Sequence, residues 1–247
     1  YMADYKAKDI QVLEGLDAVR MRPGMYIGTT GNKGLHHILW EIIDNGIDEI
    51  TNGHGNRVEV ELLDDNVMRV TDNGRGVPVD KHPKLGISGV EVVYTQLHAG
   101  AKFDNESYGF SGGLHGVGAS VTNALSEWMT VEVFKDGTHY RQDFHSPEVN
   151  GKIKSGVKLS DLKVVGKTKE TGTRVTFKAD ERVFGAEKYD YDVIAERLRE
   201  IAFLNKQVTL VLKDERLPFF GGTGKSDTFH FEGGVSDFEA YLNEEKD

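Results

Sequence analysis

The stretch Leu35-His36-His37-Ile38-Leu39-Trp40-Glu41-Ile42-Ile43-Asp44-Asn45-Gly46-Ile47-Asp48-Glu49-Ile50-Thr51 decides how the chain is read. Leu35, Ile38, Leu39, Ile42, Ile43, Ile47 and Ile50 recur at intervals of three and four, the period of a helix with one buried side. At about 100° per residue, Glu41, Asp44, Asn45 and Asp48 share an arc opposite the isoleucines. Such an arc is ordinarily a solvated face. A carboxylate and a carboxamide four residues apart can also act as a general base and as an oxygen ligand for a hard cation beside a phosphate. What surrounds the helix has to choose between the two.

Working outward, Val58–Leu63 and Val67–Thr71 read as strands around the tight turn Asp64-Asp65-Asn66. Asp72-Asn73-Gly74-Arg75-Gly76 follows as a turn. By itself this is common turn chemistry, yet it leaves Asp72 at a strand end, where a carboxylate can accept an N–H from a base, and Gly76 where a planar ring can approach the backbone. A helix is expected over Gly89–His98. Upstream, Asp9 caps a helix over Ile10–Arg20 that the turn Arg22-Pro23-Gly24 ends, and Gly24, Gly28, Gly31 and Gly34 belong to an early loop.

Glycine is abundant, 29 residues against 5 Pro, at about 12% where roughly 7% is usual. It is concentrated: Gly109, Gly112, Gly113, Gly116 and Gly118 fall within ten residues. In Ser111-Gly112-Gly113-Leu114-His115-Gly116-Val117-Gly118 a loop runs into a helix start, where N–H groups can surround an anion; hinge and phosphate cradle both suit this segment alone. It is not a dinucleotide-binding fingerprint, because no strand precedes it. Gly224-Lys225-Ser226 looks like the end of a P-loop, but Phe219 stands where the earlier glycine is required, so Gly221–Ser226 reads as a hairpin loop.

Beyond the cluster, Ala119–Leu125 reads as a helix, and Met129–Phe134 and Tyr140–Phe144 as a hairpin around Asp136-Gly137. Residues 146–170 are rich in Lys and Gly and irregular. Thr173–Phe177 and Val208–Leu212 are strands, Tyr191–Leu204 is an amphipathic helix, and Phe229–Phe231 and a helix near Val235–Leu242 follow. This order implies an α+β fold, a two-layer arrangement in which helices cover one face of an antiparallel or mixed sheet.

Composition narrows the function. With 30 Lys+Arg against 40 Asp+Glu the net charge is −10, which argues against a surface that grips nucleic-acid phosphates, a local basic groove apart. There is no Cys, hence no disulfide scaffold and no thiolate chemistry, as suits a reducing, cytoplasmic setting. No apolar run reaches the roughly 18–20 residues of a membrane span. The histidines lack metalloprotease spacing, and His36 and His37 read as packed or solvated. Tyr1 in place of Met and the end at Asp247 imply a piece of a longer protein.

Taken together, Glu41…Asn45, Asp72-x-Gly74-x-Gly76, Gly113-x-x-Gly116-x-Gly118 and Thr171-Gly172-Thr173 resemble the ordered motifs of the gyrase, heat-shock chaperone, histidine kinase and mismatch-repair ATPase superfamily. The words Ala18-Val19-Arg20-Met21-Arg22-Pro23-Gly24-Met25-Tyr26-Ile27-Gly28 and Leu97-His98-Ala99-Gly100-Ala101-Lys102-Phe103 resemble the B subunits of bacterial type IIA topoisomerases. Within them, Ala202-Phe203-Leu204-Asn205-Lys206 leans to gyrase and Leu125-Ser126-Glu127-Trp128 to topoisomerase IV. A chaperone-type ATP switch is a more distant alternative.

The resemblance implies the Bergerat ATP-binding fold, a mixed, mostly antiparallel sheet with helices on one face, with ATP and Mg²⁺ as cofactors. It implies an N-terminal arm over 1–9 and an ATPase domain over 10–247 with a lid at 99–118, the transducer and metal-binding cleavage domains being absent from this fragment, so that ATPase activity would be weak. Glu41 would be the general base and Asn45 a Mg²⁺ ligand. Asp72 and Thr173 would hold adenine, Gly76 and Pro78 would wall its pocket, and Arg75 would stack over the mouth and pair with Glu49. Lys102 and the backbone of Leu114, His115, Gly116, Val117 and Gly118 would cradle the phosphates. Tyr108 would touch nucleotide from the lid, and Tyr5 would reach the nucleotide of a second copy. Implied partners are the topoisomerase A protein, a second copy joined on ATP binding, duplex DNA held through the full complex, and ATP-competitive inhibitors, whose pocket rim would carry Lys135; no membrane is implied.

Overall fold

The isoleucine-faced helix is the longest element in the computed structural model, which describes residues 15–97 and 118–246. Two short helices precede it, α1 (Asp17–Met21) and α2 (Gly24–Ile27), followed by α3 (Asn32–Thr51). The early glycine loop is therefore partly helical. Pro23 sits in helical conformation at the start of α2 and its carbonyl accepts the N–H groups of Tyr26 and Ile27, so the turn that stops α1 also begins α2. Helix α3 starts three residues before the apolar period does, because the extended Gly31 caps it and its carbonyl accepts the Leu35 N–H. Gly34 lets the preceding chain pass: a Cβ there would lie 1.8 Å from the Thr29 carbonyl oxygen.

The hairpin of β1 (Arg57–Leu63) and β2 (Val67–Asp72) comes next, its turn taken by Asp65 and Asn66 with positive φ. Helix α4 (Gly89–Thr95) is capped by the Ser88 side chain and ends before His98, since Gln96 is already extended. After α5 (Ala119–Ala124), β3 (Ser126–Lys135) and β4 (Thr138–His145) form the expected hairpin. The region 146–170 is not irregular: it holds β5 (Glu148–Val149), β6 (Lys152–Ile153), β7 (Val157–Lys158) and β8 (Lys163–Lys167). These short strands are exposed on nearly every residue, so they carry none of the in-out alternation that reveals a half-buried strand.

The chain continues through β9 (Gly172–Ala179), α6 (Glu181–Phe184), α7 (Tyr191–Leu204), β10 (Thr209–Asp214), β11 (Ser226–Phe229) and α8 (Val235–Lys246). Strand β11 lies earlier than expected, paired with β10 from Ser226 to Phe229. Phe231 has left the sheet and stacks on Phe203 of α7, ring centroids 3.8 Å apart.

The main sheet has the order β11-β10-β1-β2-β9-β3-β4-β7, with β8 also on β4. Among the described strands only β1 and β10 are parallel; the other pairs are antiparallel. This is the α+β, two-layer fold read from the sequence. Val58, Val60, Leu62, Met68, Val70, Met129, Val131, Val133, Val175 and Phe177 alternate inward to meet the apolar side of α3, α5 and α7 in one core. Each fully buried Leu, Ile or Phe contributes about 1.5–3 kcal/mol of transfer free energy, which fixes α3 across β2 and β9. Among the described residues no helix is long and apolar enough to cross a membrane.

Candidate functional site

Where α3 crosses the ends of β2 and β9, helix and sheet separate into an open cleft of about 630 Å³. Its walls are Ile42, Val70, Val77, Tyr94 and Val175, with Asn45, Glu49, Asp72, Arg75, Gly76, Pro78, Lys135 and Thr173 as its other lining residues. Residues from three of the sequence motifs thus meet in one place.

Asp72 and Thr173 are register partners on neighbouring strands, which puts a carboxylate and a hydroxyl side by side on the cleft floor. The Gly74 N–H donates to Asp72 Oδ1 at 2.9 Å, and the Thr173 hydroxyl oxygen accepts the Val77 N–H at 3.1 Å. Burial pushes the Asp72 carboxyl up to about 6, with the backbone N–H groups of Gly74 and Thr173 pulling the other way. No ion pair relieves it among the described residues. A desolvated acceptor of this kind is poised for a ligand donor.

Two glycines make the floor possible. Gly172 has φ +136° and a Cβ there would fall 1.9 Å from the Asp72 carbonyl oxygen; Gly76 has φ +86°, with Val133 Cγ1 3.0 Å from where its Cβ would be. Arg75 pairs with Glu49 as the resemblance implied. Its Nη2 donates to Oε1 at 2.7 Å, while its Nε and backbone N–H donate to Oε2 at 3.2 and 2.9 Å. Lys135 reaches from β3 to the same rim, its Nζ donating to the carbonyls of Arg75 and Gly76 at 3.2 and 3.3 Å.

The acidic arc of α3 is not a solvated face. Glu41 and Glu49 are buried and Asp44, Asn45 and Asp48 half-buried. Glu41 Oε2 accepts the Gly118 N–H at 2.9 Å, and the His37 ring nitrogen lies 3.1 Å from Oε1. The end of the glycine-rich segment is thereby tied to the carboxylate. Burial raises the Asp44 carboxyl to about 6, countered by Arg197 of α7. His37, Tyr94, Val70 and Val175 are contributors that sequence reasoning missed; the four-residue step from His37 to Glu41 was the available signal for the first. Tyr5, Lys102, Tyr108, Leu114, His115, Gly116 and Val117 lie outside the described residues.

The P-loop lookalike is structural. Thr223 N–H and hydroxyl both donate to Asp214 Oδ2, at 2.9 and 2.7 Å, and Ser226 opens β11, so this is the hairpin loop between β10 and β11. The described residues hold no group of three or more His, Cys, Asp or Glu placed to bind a metal ion. Asn45 offers a single hard oxygen at the cleft.

The site is thus an apolar slot floored by a carboxylate and a hydroxyl, beside a helix whose acidic residues are buried or half-buried. Residues 30–183 match the family model described as histidine kinase-, DNA gyrase B- and HSP90-like ATPase, and the chain belongs to that family. Among curated proteins it is 50% identical over 244 residues to the gyrase B protein of Treponema pallidum. It is 49% identical over 245 residues to the corresponding B protein of DNA topoisomerase 4 from Enterococcus faecalis. These matches take in 98% and 99% of this chain but 36% and 34% of the relatives, so the chain spans about a third of their length. The 43K ATPase domain of Thermus thermophilus gyrase B, solved in complex with an aminocoumarin, superposes with a TM-score of 0.78 at 43% identity, over 94% of this chain and 56% of that one.

Proposed function

We propose that the cleft binds ATP with Mg²⁺ and hydrolyses it, as the ATP-driven part of a type IIA topoisomerase of the gyrase B kind. The observation that carries this is the Asp72–Thr173 pair on the floor of an apolar slot, with Asn45 and Glu41 on the helix above. The slot's aliphatic walls and Tyr94 suit the faces of a planar base, and Asp72 accepts the adenine amino hydrogen while Thr173 adds a hydroxyl contact. Gly76 and Pro78 wall the base, and Arg75, held by Glu49, covers the mouth.

The donor set also fits Mg²⁺, which prefers phosphate and water oxygens completed by one or two protein ligands; Asn45 supplies one. The ion would contribute charge neutralisation on the phosphates. Glu41 acts as the general base. The bonds from Gly118 and at His37 orient its carboxylate. Lys102 and the backbone of Leu114 to Gly118 cradle the phosphates, Tyr108 contacts nucleotide from the 99–118 lid, and Tyr5 reaches the nucleotide of a second copy, closing a dimer on ATP binding. In the complete enzyme this closure, together with the topoisomerase A protein, drives strand passage through duplex DNA and supercoiling in the cytoplasm. ATP-competitive inhibitors would meet Lys135 at the rim.

Topoisomerase IV is the second reading, because the two kinds of relative stand level in identity. Of the sequence words that lean each way, Leu125, Ser126, Ala202 and Phe203 are buried and report packing rather than the DNA product. Supercoiling by the full-length protein with its A partner decides: introduction of negative supercoils supports gyrase, decatenation alone topoisomerase IV. For the chemistry, Glu41→Ala in a chain extended through the region that follows in the relatives should reduce Mg²⁺-dependent turnover by about 10²–10⁴-fold with ATP affinity kept. Unchanged turnover removes Glu41 from the role.

A further inference from the structure

The sheet edge formed by β7 and β8, with the β5–β6 hairpin preceding it in the chain, concentrates positive charge in an acidic chain. Residues 146–170 hold Lys152, Lys154, Lys158, Lys163, Lys167 and Lys169 against Glu148, Asp161 and Glu170, leaving 24 basic and 37 acidic residues elsewhere. All six lysines are exposed. Lys158 is held by Asp161 at 2.7 Å and lies 3.7 Å from Glu91; the other five have no carboxylate within 4 Å among the described residues. The charges stand on both sides of the edge. Lys163 is the register partner of Arg141, on the face away from the helices, whereas Lys158 reaches toward Glu91 of α4.

From this we infer that the β7–β8 edge is a contact for the phosphate backbones of duplex DNA, a reading that rests on the proposed topoisomerase role. A row of unpaired cations along an exposed edge addresses a row of negative charge, which a duplex provides with one phosphate about every 1.7 Å of helix axis. The acidic remainder of the molecule does not cancel the patch at a distance, because charges are screened beyond about 10 Å at 0.1 M salt. Unpaired lysines also discourage addition of a further strand, which favours a polyanion over a peptide as the occupant. The contact is electrostatic and sequence-independent, suited to guiding a DNA segment rather than gripping it.

The test is fluorescence anisotropy of a labelled 30-base-pair duplex with the 247-residue chain at 50 mM salt. If the five unpaired lysines each meet a phosphate, log affinity should fall with log salt at a slope of about −4.5. K152E/K154E/K163E/K167E/K169E should bind at least about tenfold more weakly with a slope near zero, and the same five changed to Gln should lie between. A control with Lys33, Lys81, Lys84, Lys188 and Lys206 changed to Glu should bind like the parent. Equal losses in the two Glu variants, or tighter binding of phosphatidylserine vesicles or polyglutamate than of duplex, overturn the inference. An ATP analogue titrated into each variant separates the two readings: no duplex binding by a parent that still binds the analogue sinks the edge contact alone, whereas no analogue binding sinks the ATP site.

Discussion

Two aspartates end two strands of the same sheet and meet opposite fates. Asp214 closes β10 and is fully paired: Arg216 donates from Nε and Nη2 at 2.9 and 3.0 Å, and Thr223 adds two more bonds. Despite burial, these partners hold its carboxyl well below the usual range. Asp72 closes β2 with backbone N–H donors and, among the described residues, no cation, and burial drives it upward. A satisfied carboxylate staples a loop, whereas an under-compensated one waits for a ligand. The contrast lies in the neighbours, since residue type and position on the strand are the same.

The largest effect should come from breaking the satisfied site. Asp214→Ala strands Arg216, itself almost buried, and should cost about 3–5 kcal/mol, a fall in melting temperature of roughly 6–20 °C, with ATP affinity at 10 °C within twofold. A thermal scan that shows no fall removes the staple role. Next, Asp72→Asn exchanges an acceptor for an amide that cannot serve the adenine amino group equally. A charge-assisted bond is worth about 1.5–3 kcal/mol, so calorimetry should show ATP weakened by roughly 10- to 150-fold and tripolyphosphate hardly at all; equal losses show that Asp72 does not read the base.

The third prediction turns on proton linkage. The folded-state carboxyl of Asp72 is raised above its unfolded value, so the folded chain holds this proton more tightly and the group's contribution to stability is lost as pH rises from about 4 to about 6. Asp72→Asn removes that loss and should leave the ligand-free chain at least as stable as the parent at pH 7. ATP needs the ionised form, so the ratio of ATP to tripolyphosphate affinity should fall as pH drops below about 6; a flat ratio contradicts the assignment. Asp214 behaves oppositely, its stabilisation present above the ordinary aspartate range and lost only in strong acid. The smallest effect belongs to Arg75→Ala. Its guanidinium is 40% exposed but its partner Glu49 is buried and would keep only the backbone N–H of residue 75, so the loss should be about 1–2 kcal/mol in a denaturant titration.

The sequence made the long-range frame legible where burial is one-sided. Helix α3, the β1–β2 and β3–β4 hairpins and α7 follow from apolar periods and turn residues, because each shows one face to the core. Strands β5 to β8 escaped because neither face is covered. The site was legible in its glycines, carboxylates and one carboxamide, as Gly76, Gly172, Asp72 and Asn45 illustrate. Val70, Tyr94 and Val175 were not, since an apolar residue lining a slot and one filling the core look alike in one dimension. The Asp72–Thr173 adjacency spans about a hundred residues and depends on sheet order, which no local pattern encodes.

That sheet order also has a consequence in time. Strand β1 can pair with β2 as soon as the hairpin is made, but its other neighbour is β10, the one parallel partner, and β2 waits for β9. Contacts so distant along the chain are slow to form. During synthesis, which adds about 5–20 residues each second, a newborn chain holds half of its sheet with raw edges for several seconds. The cleft is assembled only when β9 docks against β2, so nucleotide cannot template the strands that precede β9.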